Sequence, residues 1–259
     1  MVGSKKDTTL KISQIVLVIF IMVLSIGKTM AQTKEFSVDP FDKVIVSPHI
    51  QVNFVKGDKE SVYIEDISVP IEKLNIEESG KTLHIYLEGA KTTTKSEKVH
   101  EDNYDGKRSI YQGTIVQATI TYKNLNDLSL RGEETFVCKS LLEGDKFQLK
   151  IYGESEVSLN DVKLNSLNTT IYGEAELKIR SGNIGKLKIT SYGESEITAL
   201  NVQNEYVKIT AYGEGEFRLN VSKELKVTAY GEAQIEYKGN PEVNKGIIIG
   251  ETTIRKIDY

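Results

Sequence analysis

Leu187-Lys188-Ile189-Thr190-Ser191-Tyr192-Gly193-Glu194-Ser195-Glu196-Ile197 is followed twenty residues later by Val207-Lys208-Ile209-Thr210-Ala211-Tyr212-Gly213-Glu214-Gly215-Glu216-Phe217. In both stretches apolar or small residues alternate with polar ones at period 2 on either side of a glycine. That is the pattern of extended backbone with one dry face. A helix needs apolar residues at three- and four-residue steps, which neither stretch has.

Outward from this pair, Tyr-Gly-Glu occurs five times, with glycine at 153, 173, 193, 213 and 231. Weaker copies, Arg131-Gly132-Glu133 and Ile249-Gly250-Glu251, flank the series, and successive glycines lie 21, 20, 20, 20, 18 and 19 residues apart. Four places after the glycine come residues such as Phe136, Val157, Leu177, Ile197, Phe217 and Ile235. Four places before it come Leu128, Leu149, Thr169, Ile189, Ile209 and Val227. One such strand cannot bury its apolar face, but stacked copies can, because each sets the same row on the previous one. Leucine-rich repeats carry a different signature, and a propeller blade needs about 40 residues.

The expected fold is therefore all-β: a single-stranded parallel β-helix-like solenoid with coils of about 20 residues and right-handed crossovers. Each coil should hold one long bent strand and a short return such as Asn160 to Ser166. The glycines fall on the inward parity, which reads as a bend or as a place where the opposite wall comes close.

Three regions follow. Residues 1–31 read as a signal peptide, with Lys5, Lys6 and Lys11 before an apolar run from Ile15 to Ile26. That run is too short to span a hydrocarbon core of about 30 Å. Thr29-Met30-Ala31 supplies the small residues of a cut before Gln32. Any membrane contact is expected through this segment alone. Residues 32–130 read as the N-terminal strands and cap of the solenoid. Strands are expected at Phe41 to Val46, Ile50 to Val55, Val62 to Glu65, Leu83 to Leu87 and Ile115 to Tyr122. A polar stretch near 89–113 reads as a mobile loop or hairpin excursion. Residues 131–259 hold the regular Tyr-Gly-Glu coils and the C-terminal cap.

Charge excludes some functions. The formal net charge is -4, and residues 1–31 hold four lysines against one acid, so the rest of the chain is more acidic still. Nucleic-acid binding needs a basic stripe, and none is present. The single cysteine, Cys138, excludes an internal disulfide framework and reads as a buried thiol. His49, His84 and His100 fall in different elements without metal-ligand spacing. No nucleophile elbow or phosphate loop occurs, and no cofactor is expected.

Stacking turns the triplets into columns. Tyr152, Tyr172, Tyr192, Tyr212 and Tyr230 should form an outward aromatic ladder. Beside it should run Glu154, Glu174, Glu194, Glu214 and Glu232, with a second row at Glu156, Glu176, Glu196 and Glu216. Like charges one coil apart, about 4.8 Å, repel by about 0.9 kcal/mol per pair in bulk water. Lys178 and Arg218, with Lys188, Lys208 and Lys226 across the strand, are available to offset this. The plain reading is a solvated acidic face that resists edge aggregation. A flat Tyr and Glu surface also suits a glycan or an envelope protein. Oxygen-only ligands at Glu174, Glu176, Glu194 and Glu196 would suit weak calcium binding.

Several segments resemble a known family. Phe41-Asp42-Lys43-Val44, Ile50-Gln51-Val52-Asn53-Phe54 leading to Gly57-Asp58, and Thr82-Leu83-His84-Ile85-Tyr86 look like the opening of the auto-transporter adhesin head GIN domain. Tyr122-Lys123-Asn124-Leu125-Asn126-Asp127-Leu128, followed by glycine-centred repeats, looks like its continuation. The resemblance spans roughly residues 36 to 255. It implies a β-helix-like fold, a Bacteroidetes-like origin and an exported, adhesin-like role, and it carries over no catalytic residue. The chain departs from it in lacking a literal Gly-Ile-Asn, the nearest being Gly182-Asn183-Ile184. No membrane barrel or sorting domain is evident, so self-export is not expected. The alternative function is a carbohydrate-active β-helix enzyme, a polysaccharide lyase or hydrolase. That reading requires one irregular cluster of acids with a basic residue in a cleft.

Overall fold

The computed structural model describes residues 34–101 and 104–258. The leader read at 1–31 lies outside the described residues. Among these residues the only helical element is one 3-10 turn, Ile71–Lys73, and nearly all the rest is strand. Parallel coils of about 20 residues stack into a β-solenoid, as the repeat predicts. From Val162 onward every pairing within the stack is parallel. Register follows the repeat: Tyr152 pairs with Tyr172, and Tyr172 with Tyr192. Gly182–Lys238 runs as one continuous extended segment.

The alternation explains the core. Leu128, Leu149, Ile189, Ile209 and Val227 are fully buried, as are Leu177, Ile197, Phe217 and Ile235. Each such side chain contributes about 2 kcal/mol through its removal from water. Cys138 is buried in the same rows, and burial pushes its thiol pKa far up. It is an inert packing residue rather than a nucleophile.

Two expectations about the coil need correction. The return is not a bare connector. Val162–Tyr172 is strand from its first residue, pairing with Leu142 on one side and Gly182 on the other. Val162 and Leu142 are both buried, so the return carries its own apolar residues and forms a third paired side. Nor do the glycines point inward. Gly193 and Gly213 are exposed and Gly153 and Gly173 half-exposed, so they form an outer corner where the inward parity is interrupted. Gly193 has φ 111°, a left-handed value that L side chains rarely adopt. What crowds it is the neighbouring coil rather than the opposite wall: a Cβ there would sit 2.6 Å from the Gly173 carbonyl oxygen. The ladder continues through the corner, since the Gly173 amide donates to the Tyr192 carbonyl at 2.9 Å.

The N-terminal coils are stacked out of chain order. Lys43–Val46 pairs in parallel with both Thr82–Leu87 and Asp127–Arg131. Ile50–Lys56 likewise lies between Val116–Tyr122 and Thr135–Cys138. The coil made first thus sits inside the one made second. Beyond that outer coil the pairing turns antiparallel: Leu74–Ser79 covers Thr82–Leu87, Ser61–Ile67 covers Val116–Tyr122, and Lys34–Ser37 covers Ser61–Ile67. Antiparallel strands at the end interrupt the parallel template that an open solenoid edge presents. The polar stretch near 89–113 contains a separate hairpin, Ser96–Glu101 with Tyr104–Ser109.

Candidate functional site

The tyrosine corner column forms as expected. Rings of Tyr152, Tyr172, Tyr192, Tyr212 and Tyr230 stack with centroids 4.9–5.1 Å apart and planes within 8° of parallel. The spacing is set by the coil repeat, because each tyrosine is in register with the next. Tyr172, Tyr192 and Tyr212 remain about 40% exposed, so the ladder presents a row of ring edges to solvent. Arg131 occupies the tyrosine position of the first coil and lies over the Tyr152 ring at 5.7 Å, closing the stack with a cation.

The glutamates flank a shallow groove of about 430 Å³. Glu154, Glu174, Glu194, Glu214 and Glu232 line one side. Glu156, Glu176, Glu196 and Glu216 line the other, over a floor of Ser155, Ala175, Ser195 and Gly215. The two sides differ electrostatically. Lys178 binds Glu176 at 2.5 Å, and Arg218 reaches Glu196, Glu216 and Glu236 at 2.9, 2.8 and 3.5 Å. Arg255 also pairs with Glu236. The Glu176 hydrogen bond raises the Lys178 pKa. No ion pair among the described residues engages the row beside the tyrosines. Lys188, Lys208 and Lys226, expected to offset the charge from across the strand, make none with either row among the described residues. The wall is thus a tyrosine column, a bare carboxylate row and a partly ion-paired carboxylate row, in that order.

Among the described residues, no group of three or more His, Cys, Asp or Glu side chains is disposed to hold a metal ion. Glu174, Glu176, Glu194 and Glu196 therefore line a groove without forming a preformed calcium cage.

A second recess lies at the N-terminal end of the tyrosine column, and the sequence reading missed it. This cleft of about 900 Å³ is bounded by Pro48-His49, Thr92–Thr94, Lys107–Ser109, Tyr111–Gly113, Arg131–Glu134 and Tyr152-Gly153. His49 is the only non-glycine residue among those described with positive φ, at 71°. Its Nδ1 lies 2.7 Å from the Gly113 carbonyl oxygen and its Nε2 2.7 Å from Thr94 Oγ1. A carbonyl only accepts, so Nδ1 carries the proton, and in the neutral ring Nε2 accepts from the threonine hydroxyl. Glu134 is 5% exposed. Its carboxylate accepts from the Glu133 amide at 3.1 Å. Burial raises its pKa, partly opposed by His49. A signal existed in the repeat: two places past the corner other coils carry Ser155, Ala175, Ser195, Gly215 or Ala233, whereas the first carries Glu134.

No described helix is long and apolar enough to cross a membrane. The fold has solved counterparts. A "putative adhesin" from Bacteroides fragilis matches with TM-score 0.71 and 20% identity, over 87% of this chain and 96% of that one. A "putative adhesin" from Parabacteroides merdae matches with TM-score 0.63 and 20% identity, over 90% and 98%. A "putative lipid binding protein" from Parabacteroides distasonis matches with TM-score 0.62 and 19% identity, over 90% and 98%. At these identities the likeness is one of fold. A search of curated proteins finds no match. The family whose sequence model matches residues 40–241 is described as "Putative auto-transporter adhesin, head GIN domain". With stacked coils, capped end and repeat register all in place, the chain belongs to that adhesin head GIN domain family.

Proposed function

We propose that the protein is exported and acts as a non-catalytic, adhesin-like module of the cell envelope, using the Tyr–Glu wall to hold a glycan or an envelope protein. The observation that carries this reading is the exposed column of parallel, stacked tyrosine rings beside a carboxylate row with no ion pair among the described residues. Stacked rings with wet edges offer apolar contact at low entropic cost, and the adjacent carboxylates accept hydrogen bonds from hydroxyls or amides. Export is supported by the basic and apolar leader, and envelope placement by the adhesin description of the family. A glycan array and a pull-down from envelope extract test the wall. The Tyr172→Ala/Tyr192→Ala/Tyr212→Ala variant should lose what the wild type captures. Equal capture by both proteins would remove the wall from the proposal. Cell fractionation with N-terminal sequencing tests export, the expected mature start being Gln32.

One observation favours the enzyme alternative: the cleft contains an irregular acid pair, Glu133 and Glu134, beside Arg131. Against it, the Glu134 carboxylate is buried and accepts from the Glu133 amide, which leaves one exposed carboxylate where hydrolysis of a glycosidic bond commonly uses two. New reducing ends or unsaturated products from a polysaccharide panel would restore that alternative.

A further inference from the structure

The cleft beside His49 is where the solenoid departs from its own repeat. Three departures converge there. Arg131 stands in the tyrosine column, and Glu134 replaces the small corner residue. His49 is held in the left-handed backbone region that residues other than glycine rarely adopt. The Gly113 carbonyl and the Thr94 hydroxyl pin its ring, and the buried Glu134 carboxylate lines the same opening. The turn at Pro48-His49, the Thr92–Thr94 segment and the first repeat corner close around one opening. Tyr111, buried and hydrogen-bonded through its hydroxyl to the Glu88 carbonyl at 3.0 Å, stands against the His49 ring at 5.7 Å.

We propose that this cleft binds an acidic oligosaccharide, a chain containing uronic-acid units, with Arg131 and Lys107 recognising the sugar carboxylate. The size fits two or three sugar rings, since ligand pockets of about 300–1,000 Å³ hold ligands of that bulk. The lining chemistry fits as well. Threonine and serine hydroxyls at Thr92, Thr93 and Ser109 match sugar hydroxyls. Of the two acids in the lining, Glu134 is buried with its carboxylate turned to the Glu133 amide, which leaves Glu133 alone against Lys107 and Arg131. The cleft is therefore a cationic recess at the end of an anionic wall, so an acidic glycan is repelled along the glutamate rows and attracted here. This inference does not rest on the wall being a binding surface.

Calorimetry on the whole protein tests it, using tetrasaccharides of galacturonate, of mannuronate and of a glucuronate-containing polysaccharide, each beside its methyl ester. At least one acid should bind, and its ester about tenfold or more weaker, because removing the charge removes a charge-assisted hydrogen bond. Arg131→Gln should weaken binding of the acid by a similar factor. Lys107→Gln, at an exposed position, provides the same readout if the first variant is unstable. Tyr192→Ser/Glu194→Gln on the wall should leave binding unchanged. No binding at millimolar sugar, equal binding of acid and ester, or loss in the wall variant with both cleft variants unaffected would each overturn the proposal.

Discussion

Gly193 is the residue on which the corner geometry can be tested most directly. Its φ of 111° and the 2.6 Å approach of the Gly173 carbonyl to a Cβ leave no room for a side chain. Gly193→Leu should cost about 3 kcal/mol or more, read as a lower urea midpoint. Gly193→Ala should already account for most of that loss, because the conflict starts at Cβ. If Ala is tolerated and only Leu destabilises, crowding beyond Cβ rather than the corner is at fault. His84 supplies a pH effect. Its ring lies 2.9 Å from the buried Ser47 hydroxyl, which donates to the Lys91 carbonyl at 2.6 Å. Ser47 therefore accepts from His84 Nε2–H. Desolvation, then Lys91 and Arg131, lower the His84 pKa. The folded protein thus binds the proton less well than the unfolded chain, whose histidine titrates near 6.5. This contribution to stability is complete above that pH and is lost as pH falls through the depressed folded value. Thermal melts between pH 7 and 5 should fall more steeply in the wild type than in His84→Gln.

Along the strands, the ion-paired part of the glutamate row depends on Arg218, which bridges three successive coils through Glu196, Glu216 and Glu236. The Arg218 side chain is 38% exposed, so screening limits its worth. Arg218→Gln should destabilise by about 1 kcal/mol at low ionic strength, and the difference should shrink in 1 M salt. A difference independent of salt would mean the arginine acts by packing its stem rather than by charge. The strands also mark the limit of a period-2 reading. Alternation on both sides of the corner was plain in the sequence. The side to which the glycine itself points was not, because a left-handed φ interrupts the parity that alternation assumes. The paired return at Val162 was hidden for a similar reason: its few apolar residues are too short a run to register as a strand by pattern alone.

For the molecule as a whole, a stack of near-identical coils behaves as a one-dimensional array in which each coil touches only its neighbours. Deleting residues 193–212 joins Tyr192 to Gly213 and removes one 20-residue period. The shortened chain should keep its strand circular dichroism and a cooperative, shallower denaturant transition. Deleting 193–211 shifts the register by one residue and turns apolar side chains outward, and that chain should aggregate or fail to fold. Similar behaviour of both deletions would mean the stack is not held by register.

Local pattern was enough for the coil length, the buried rows, the tyrosine and glutamate columns and the parallel stacking. Each follows from an alternation and a glycine spacing repeated within twenty or so residues. The out-of-order N-terminal coils, the antiparallel cap and the cleft beside His49 follow from contacts between distant segments. Pro48-His49, Thr92–Thr94 and Arg131–Glu134 share no periodicity, so nothing in their spacing announces that they meet. A repeat encodes its own neighbour because each copy must bury the face of the next. Where the repeat stops, burial can be satisfied in many ways, and the three-dimensional packing of the whole chain selects one of them.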